Sequence, residues 1–165
     1  MISQMIGVGK AHAKIILVGE HAVVYNQPAI AIPLTNLTVT TTIQPAFVGQ
    51  TIESNTFHGG LDELGANVEG LRQLILRLIT HFQLQKAPFT IEIDTNIPQE
   101  RGFGASAAFA TSITKAFFDF ANAPLSSEQL KYFTDLEESI SHGSASGLDA
   151  ATVNSTDPIW FVKND

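Results

Sequence analysis

Three stretches of the 165-residue sequence carry residue types that could do chemistry together. The first, Pro98-Gln99-Glu100-Arg101-Gly102-Phe103-Gly104-Ala105-Ser106-Ala107-Ala108, is a proline-opened, glycine-bearing loop that runs into a helical pattern, the layout of an anion cradle. Gly102 and Gly104 let backbone amides approach an anion with no Cβ in the way, and the following helix adds unpaired N–H groups and a positive dipole end. Ser106, in the first turn, could cap that helix or ligate a metal ion carried by phosphates. The plain alternative is a tight turn with Ser106 as its N-cap. A dinucleotide loop fits less well. Gly102, Gly104 and Ala107 satisfy G-x-G-x-x-A, but no strand leads directly into the glycines, and Asp119 falls inside a helical run instead of closing a second strand. The Walker pattern fails because no Lys-Ser or Lys-Thr follows the glycines.

The second stretch, Lys14 to Tyr25, is a strand pattern opened by a lysine and closed by Gly19-Glu20-His21. Taken singly, such a lysine is a solvated flank and such a histidine is structural. In the third, Glu137 to Ala151, an acidic helix end runs into a loop of small residues. Glu138 and Asp149 are its candidates for metal ligand and general base. The plain reading makes Asp149 the cap of a short helix suggested by Ala150, Ala151 and Val153.

Positioning these groups requires both strands and helices. Lys14–Val18, Pro28–Ile32 and Leu37–Ile43 read as strands, and the segment from Gln44 to Gly60 as a loop or irregular hairpin. Val68, Leu71, Ile75, Leu78 and Phe82 recur at helical spacing and predict an amphipathic helix from about Ala66 to Leu84. Phe89–Ile93 alternates as a strand. Helical patterns then run over Ala107–Ala121 and Ser127–Ile140, the latter with Ser126 or Ser127 as N-cap. Trp160–Val162 reads as a strand close to the last residue. This order of elements predicts an α+β fold.

At this length a domain can bury roughly 70% of the surface its unfolded chain exposes. With 44% apolar residues, 15% charged residues and a net charge of −7, neither a disordered polyelectrolyte nor a bulk-charge nucleic-acid binder is expected. The absence of cysteine excludes disulfides, thiolate metal sites and a cysteine nucleophile. No apolar stretch approaches the ~20 residues of a spanning helix, so no membrane association is expected and a cytoplasmic location is the default. Lys10, Lys14 and Arg101 provide local positive charge near the candidate segments, against the acidic total.

Gly19-Glu20-His21-Ala22-Val23-Val24-Tyr25 after the lysine strand, Pro-x3-Gly-x-Gly-x-Ser-Ala-Ala, and His-Gly-x-x-Ser-Gly-Leu-Asp together resemble the GHMP kinases, and most of all the branch that phosphorylates mevalonate. The resemblance implies an N-terminal domain of the type of ribosomal protein S5 domain 2. It implies ATP and Mg²⁺ as cofactors, with the loop Gly102, Phe103, Gly104, Ala105, Ser106 and Ala107 around the phosphates. It makes Ser106 and Glu138 the metal ligands, the latter eleven residues before Asp149. Asp149 corresponds to the catalytic aspartate that takes the hydroxyl proton, and Lys14 to the lysine beside it. Glu20 and His21 correspond to the corner that reads the acceptor, with Ser146 nearby. The expected product is 5-phosphomevalonate, for isoprenoid synthesis.

The sequence also departs from the family pattern. His12 and Ala13 stand where Pro-Gly is usual, Ala105 replaces a loop serine, and Ser144-Ala145 replaces Asn-Pro. The last change bears on the acceptor more than on the reaction type. The family's third motif, in a C-terminal domain, is missing, and members run to roughly twice this length. The expected partners are therefore mevalonate and that C-terminal domain, with a homodimer open to it. The alternatives are a kinase for a sugar or homoserine and a non-catalytic ligand-binding module. Lys14, Ser106, Glu138 and Asp149 together speak against the module, which has no physical need of all four.

Overall fold

The computed structural model describes residues 5–98, 102–143 and 145–163. Arg101 and Ser144 lie outside them. The elements run β1 (Gly7–Val18), β2 (Ala29–Pro45), β3 (Gln50–Ser54), β4 (His58–Gly60), α1 (Glu69–His81), β5 (Phe89–Thr95), α2 (Ala105–Phe120), α3 (Ser127–His142), α4 (Leu148–Thr152) and β6 (Ile159–Phe161). Short 3₁₀ turns precede β2 and α1. The α+β expectation holds. Two expected strands merge into the single long β2, and β1 begins seven residues earlier than expected, so Lys14 sits inside a strand instead of at its start.

One mixed sheet has the order β1-β2-β5-β3-β4, with β6 paired to the first part of β2. Among the described residues only the β3–β5 pair is parallel. The sheet's core-facing residues Ile43, Ile52, Phe89 and Ile91 meet Leu74, Ile75 and Leu78 of α1 and Ile113, Phe117 and Phe120 of α2. On its other face Thr38, Glu53, Glu92 and Asp94 are exposed. Each fully buried Leu, Ile or Phe contributes roughly 1.5–3 kcal/mol. Phe118 of α2 and Phe133 of α3 join this core edge-on, with centroids 5.9 Å apart.

Glycines fix the seat of α2 on β1. A Cβ at Gly9 would stand 1.9 Å from the Ser112 carbonyl oxygen, and one at Gly7 2.3 Å from that of Ala116. Only hydrogen at these Cα atoms lets the helix backbone lie directly on the strand. The edge of β1 away from β2 is bonded at three points. The Val8 amide donates to Asp119 (2.8 Å), the Lys115 ammonium donates to the Lys10 carbonyl (3.2 Å), and the Lys14 amide donates to the Phe103 carbonyl (2.9 Å). These bonds occupy part of an edge of the kind that recruits another strand when left open. Among the described residues no helix is long and apolar enough to cross a membrane.

Gly9→Ala is expected to cost about 3 kcal/mol in urea denaturation, the upper end for overpacking, whereas Thr40→Ala on the outer sheet face stays within about 0.5 kcal/mol. Burial also lowers the Lys115 ammonium below the ordinary lysine value of 10.5. The unfolded chain then holds this proton more tightly than the folded one, so stability rises with pH through the window between the lowered value and 10.5. Lys115→Met is expected to flatten that rise in denaturant melts across the alkaline range.

Candidate functional site

The alternation of β1 breaks beside the site. Ala13 and Lys14 are both buried, and the pairing with β2 jumps from His12↔Thr38 to Ala13↔Leu34. This irregularity turns the lysine inward, as bulges beside functional sites do. Lys14 enters with its side chain only 4% exposed, and its ammonium lies 2.7 Å from Oδ1 of Asp149, which is 31% exposed. Its stem passes over Gly104, where a Cβ would meet Lys14 Cε at 2.6 Å.

Gly104, at φ +65°, is the N-cap of α2 and accepts the Ala108 amide at 3.0 Å. Gly102, at φ +101°, faces open space. The glycines therefore serve both the left-handed turn and the lysine's passage. Ser106 is not the N-cap. It lies one residue inside α2, and its hydroxyl donates to Oε1 of Glu137 at 2.6 Å. Phe103, Ala105 and Ala107 pack together in the small core cluster beneath the loop, with Ala11, Ala13 and Val153.

Asp149 stands in the first turn of α4, whose N-cap is Gly147 at φ +78°. No side chain caps this helix, so the capping reading of Asp149 gives way to the ion pair with Lys14. Ser146 closes the loop before it. Its amide and hydroxyl both donate to Oε1 of Glu138 (2.9 and 3.1 Å), and its Oγ accepts the Leu148 amide at 3.3 Å. The second oxygen of Glu138, Oε2, is buried with no hydrogen-bond partner among the described residues.

The sequence residues thus fall into two joined groups. Lys14, Phe103, Gly104 and Asp149 meet directly, and Glu138 meets Ser146. The structure bonds Ser106 to Glu137, whereas Glu138, which the resemblance makes a metal ligand along with Ser106, turns to Ser146, because successive helical residues point about 100° apart. Glu20 and His21 are exposed in the turn after β1 and make no hydrogen bond or ion pair among the described residues. Glu137, 2% exposed, is the group that reasoning from sequence missed. Its signal was the i,i+4 pair Glu137/Ser141, whose hydroxyl also donates to the carboxylate at 2.5 Å. A cavity of about 600 Å³ opens from Ala105 toward Phe57, Asn67, Leu71, Ile97 and Phe109.

The sequence matches the family model described as "GHMP kinases N terminal domain" over residues 71–155. It is 26% identical to the mevalonate kinase of Saccharolobus solfataricus over 158 residues, covering 92% of this chain and 50% of that protein. The crystal structure of mevalonate kinase from methicillin-resistant Staphylococcus aureus superposes with a TM-score of 0.75 at 33% identity, over 98% of this chain and 54% of the other. That of the Methanococcus jannaschii mevalonate kinase gives 0.79 at 26%, over 99% and 55%. The chain spans about half the length of the curated relatives it matches.

Removing either partner of the Lys14–Asp149 pair has unequal consequences. Asp149→Asn leaves a buried ammonium without its counter-charge and is expected to cost roughly 3 kcal/mol in thermal or urea unfolding. Lys14→Met leaves a carboxylate that water can reach and is expected to cost about 1 kcal/mol. Equal losses would show that the pair is solvated in the folded chain.

Proposed function

The chain belongs to the GHMP kinases, and from that footing we propose that it forms the nucleotide-binding half of a mevalonate kinase, an ATP-dependent phosphotransferase acting on a primary alcohol. The observation that carries the reading is the junction at Lys14. Its amide is tied to the glycine loop through Phe103, and its ammonium to Asp149, so cradle and base share one residue. A general base one side chain away from a phosphate loop is an arrangement that in-line phosphoryl transfer requires.

In this reading the backbone of Gly102 to Ser106 and the first turn of α2 receive the phosphates of ATP. The cavity beyond Ala105, within the size range of small-molecule sites, takes the nucleoside. Asp149 accepts the proton of the mevalonate hydroxyl as its oxygen bonds to the γ-phosphorus, while the bond to the bridging oxygen breaks and ADP leaves with that electron pair. Lys14 orients Asp149 and offsets charge on the transferring group. Glu20 and His21 face solvent at the acceptor corner, and Ser146 lines the loop before the base.

The residues fit Mg²⁺. The Oε2 atom of Glu138 is withdrawn from water with no donor among the described residues, and carboxylate and hydroxyl oxygens are hard ligands. Among the described residues no three carboxylate or imidazole groups form a metal cage. That suits an ion bound through one or two protein oxygens and the phosphates themselves. Ser106 and Glu138 are the residues that would hold it, and it supplies neutralisation of the phosphate charge when bound.

The relatives are about twice as long, and we assign the remaining wall of the cleft to a C-terminal domain. The 165 residues alone are expected to release ADP from ATP and mevalonate far below the 1–100 s⁻¹ typical of kinases, and turnover in that range would defeat the assignment. In the full-length enzyme, Asp149→Asn is expected to lower kcat by about 10²- to 10⁴-fold with KM for ATP little changed. An unchanged kcat removes Asp149 as the base.

A further inference from the structure

Glu137 is a buried carboxylate for which the proposed reaction gives no role. It is 2% exposed, and no lysine, arginine or histidine pairs with it among the described residues. Its known partners are two hydroxyls, those of Ser106 and Ser141, both on Oε1. The space around it is kept open by Gly70 of α1, where a Cβ would stand 2.2 Å from Ser141 Oγ and 2.8 Å from Glu137 Oε1. A charge buried this way is costly unless something compensates it. The first turn of α2 offers part of that compensation through its dipole. It is the same positive end that the phosphate reading needs.

A serine hydroxyl has one proton to donate and two lone pairs to accept with. An ionised carboxylate can only accept. Ser106 therefore commits its single proton to Glu137, and what it presents elsewhere is lone pairs alone. In that state it cannot donate to a phosphate oxygen, but it can face a cation. The neighbouring loop position, where the family pattern has another serine, is Ala105, so no second hydroxyl there supplies a donor.

Resting on the kinase reading above, we propose that Glu137 is a positioning residue: by taking the proton of Ser106 it makes that oxygen a ligand for a phosphate-borne divalent cation and bars it from bonding phosphate directly. The carboxylate also adds negative charge at the mouth of α2, which disfavours bare nucleotide and favours its metal complex. The site thus selects metal-bound nucleotide over free nucleotide by electrostatics, before any chemistry occurs.

The test is calorimetric titration of the intact chain with ADP in excess Mg²⁺ and again in EDTA, the readout being the ratio of the two affinities. Glu137→Gln keeps the shape and removes the charge, and its amide can donate to Ser106 and return the serine proton to the phosphates. The ratio is expected to fall at least tenfold, with affinity for metal-free ADP unchanged or tighter. Ser141→Ala, which touches the same carboxylate without reaching the loop, is expected to keep the wild-type ratio. The Glu137→Gln effect should vanish in a Ser106→Ala background. An unchanged ratio in a folded Glu137→Gln protein, an equal fall in Ser141→Ala, or an undiminished effect without Ser106 would each overturn the proposal. Failure of the wild-type chain to bind ADP under either condition would instead strike the nucleotide-binding reading itself, and the proposal with it.

Discussion

The ammonium of Lys14 is buried, and much of the site follows from the need to keep it there. A lone charge withdrawn from water costs several kcal/mol. The fold offsets that cost with one carboxylate oxygen at 2.7 Å, and to bring it there it must hold the first turn of α4 within side-chain reach of β1. The lysine's own backbone amide is spent on Phe103, which fixes the glycine loop to the same strand. Gly104 must lack a side chain because the lysine stem fills the space a Cβ would take. A single charge therefore dictates a strand irregularity, a glycine, a helix start and the place of Asp149.

How much of this could be read from the residues depended on whether the signal was local. The helices were legible because their apolar spacing is a local property, and α1, α2 and α3 begin and end within a few residues of expectation. The capping box of α3, Ser126 with Gln129, is written in four adjacent residues. The long β2 was not legible, because Pro33 to Asn36 looks like a break until pairing with β1 before and after it carries the strand through. Lys14 looked like a strand flank for the same reason. Gly7 and Gly9 carry no local signal, since nothing near them in sequence announces a helix more than a hundred residues away.

The site shows the same division. Lys14, Asp149 and the glycine loop, which the structure brings together, could be selected by type and order, because a glycine loop before a helix and an acidic residue after Ser-Gly-Leu are local patterns. The partner of Ser106 could not, because two adjacent glutamates differ only in the direction they leave the helix. Glu138 points to the Ser146 loop and Glu137 into the junction of α1, α2 and α3. Sequence spacing chooses between them by counting residues, whereas the structure chooses by packing. Gly70 is the third party to that choice, and its role is invisible without α3 beside it.

Glu137, bonded to Ser106, and Asp149, bonded to the lysine that crosses Gly104, set two carboxylates beside the glycine loop in a chain of net charge −7, an arrangement that opposes binding an anion. The opposition holds only for the bare anion. At 4 Å and an effective dielectric near 20, a pair of unit charges interacts by about 4 kcal/mol, so each carboxylate that repels free phosphate attracts a divalent cation about twice as strongly. One positive side chain, Lys14, is already engaged by Asp149 and can offer the phosphates only what that carboxylate leaves. A cation carried by the ligand adds positive charge that the engaged lysine does not supply. An acidic site with a saturated lysine is consistent with recognising a metal–phosphate complex as one unit, in which hydroxyl and carboxylate oxygens address the ion while backbone amides address the phosphate.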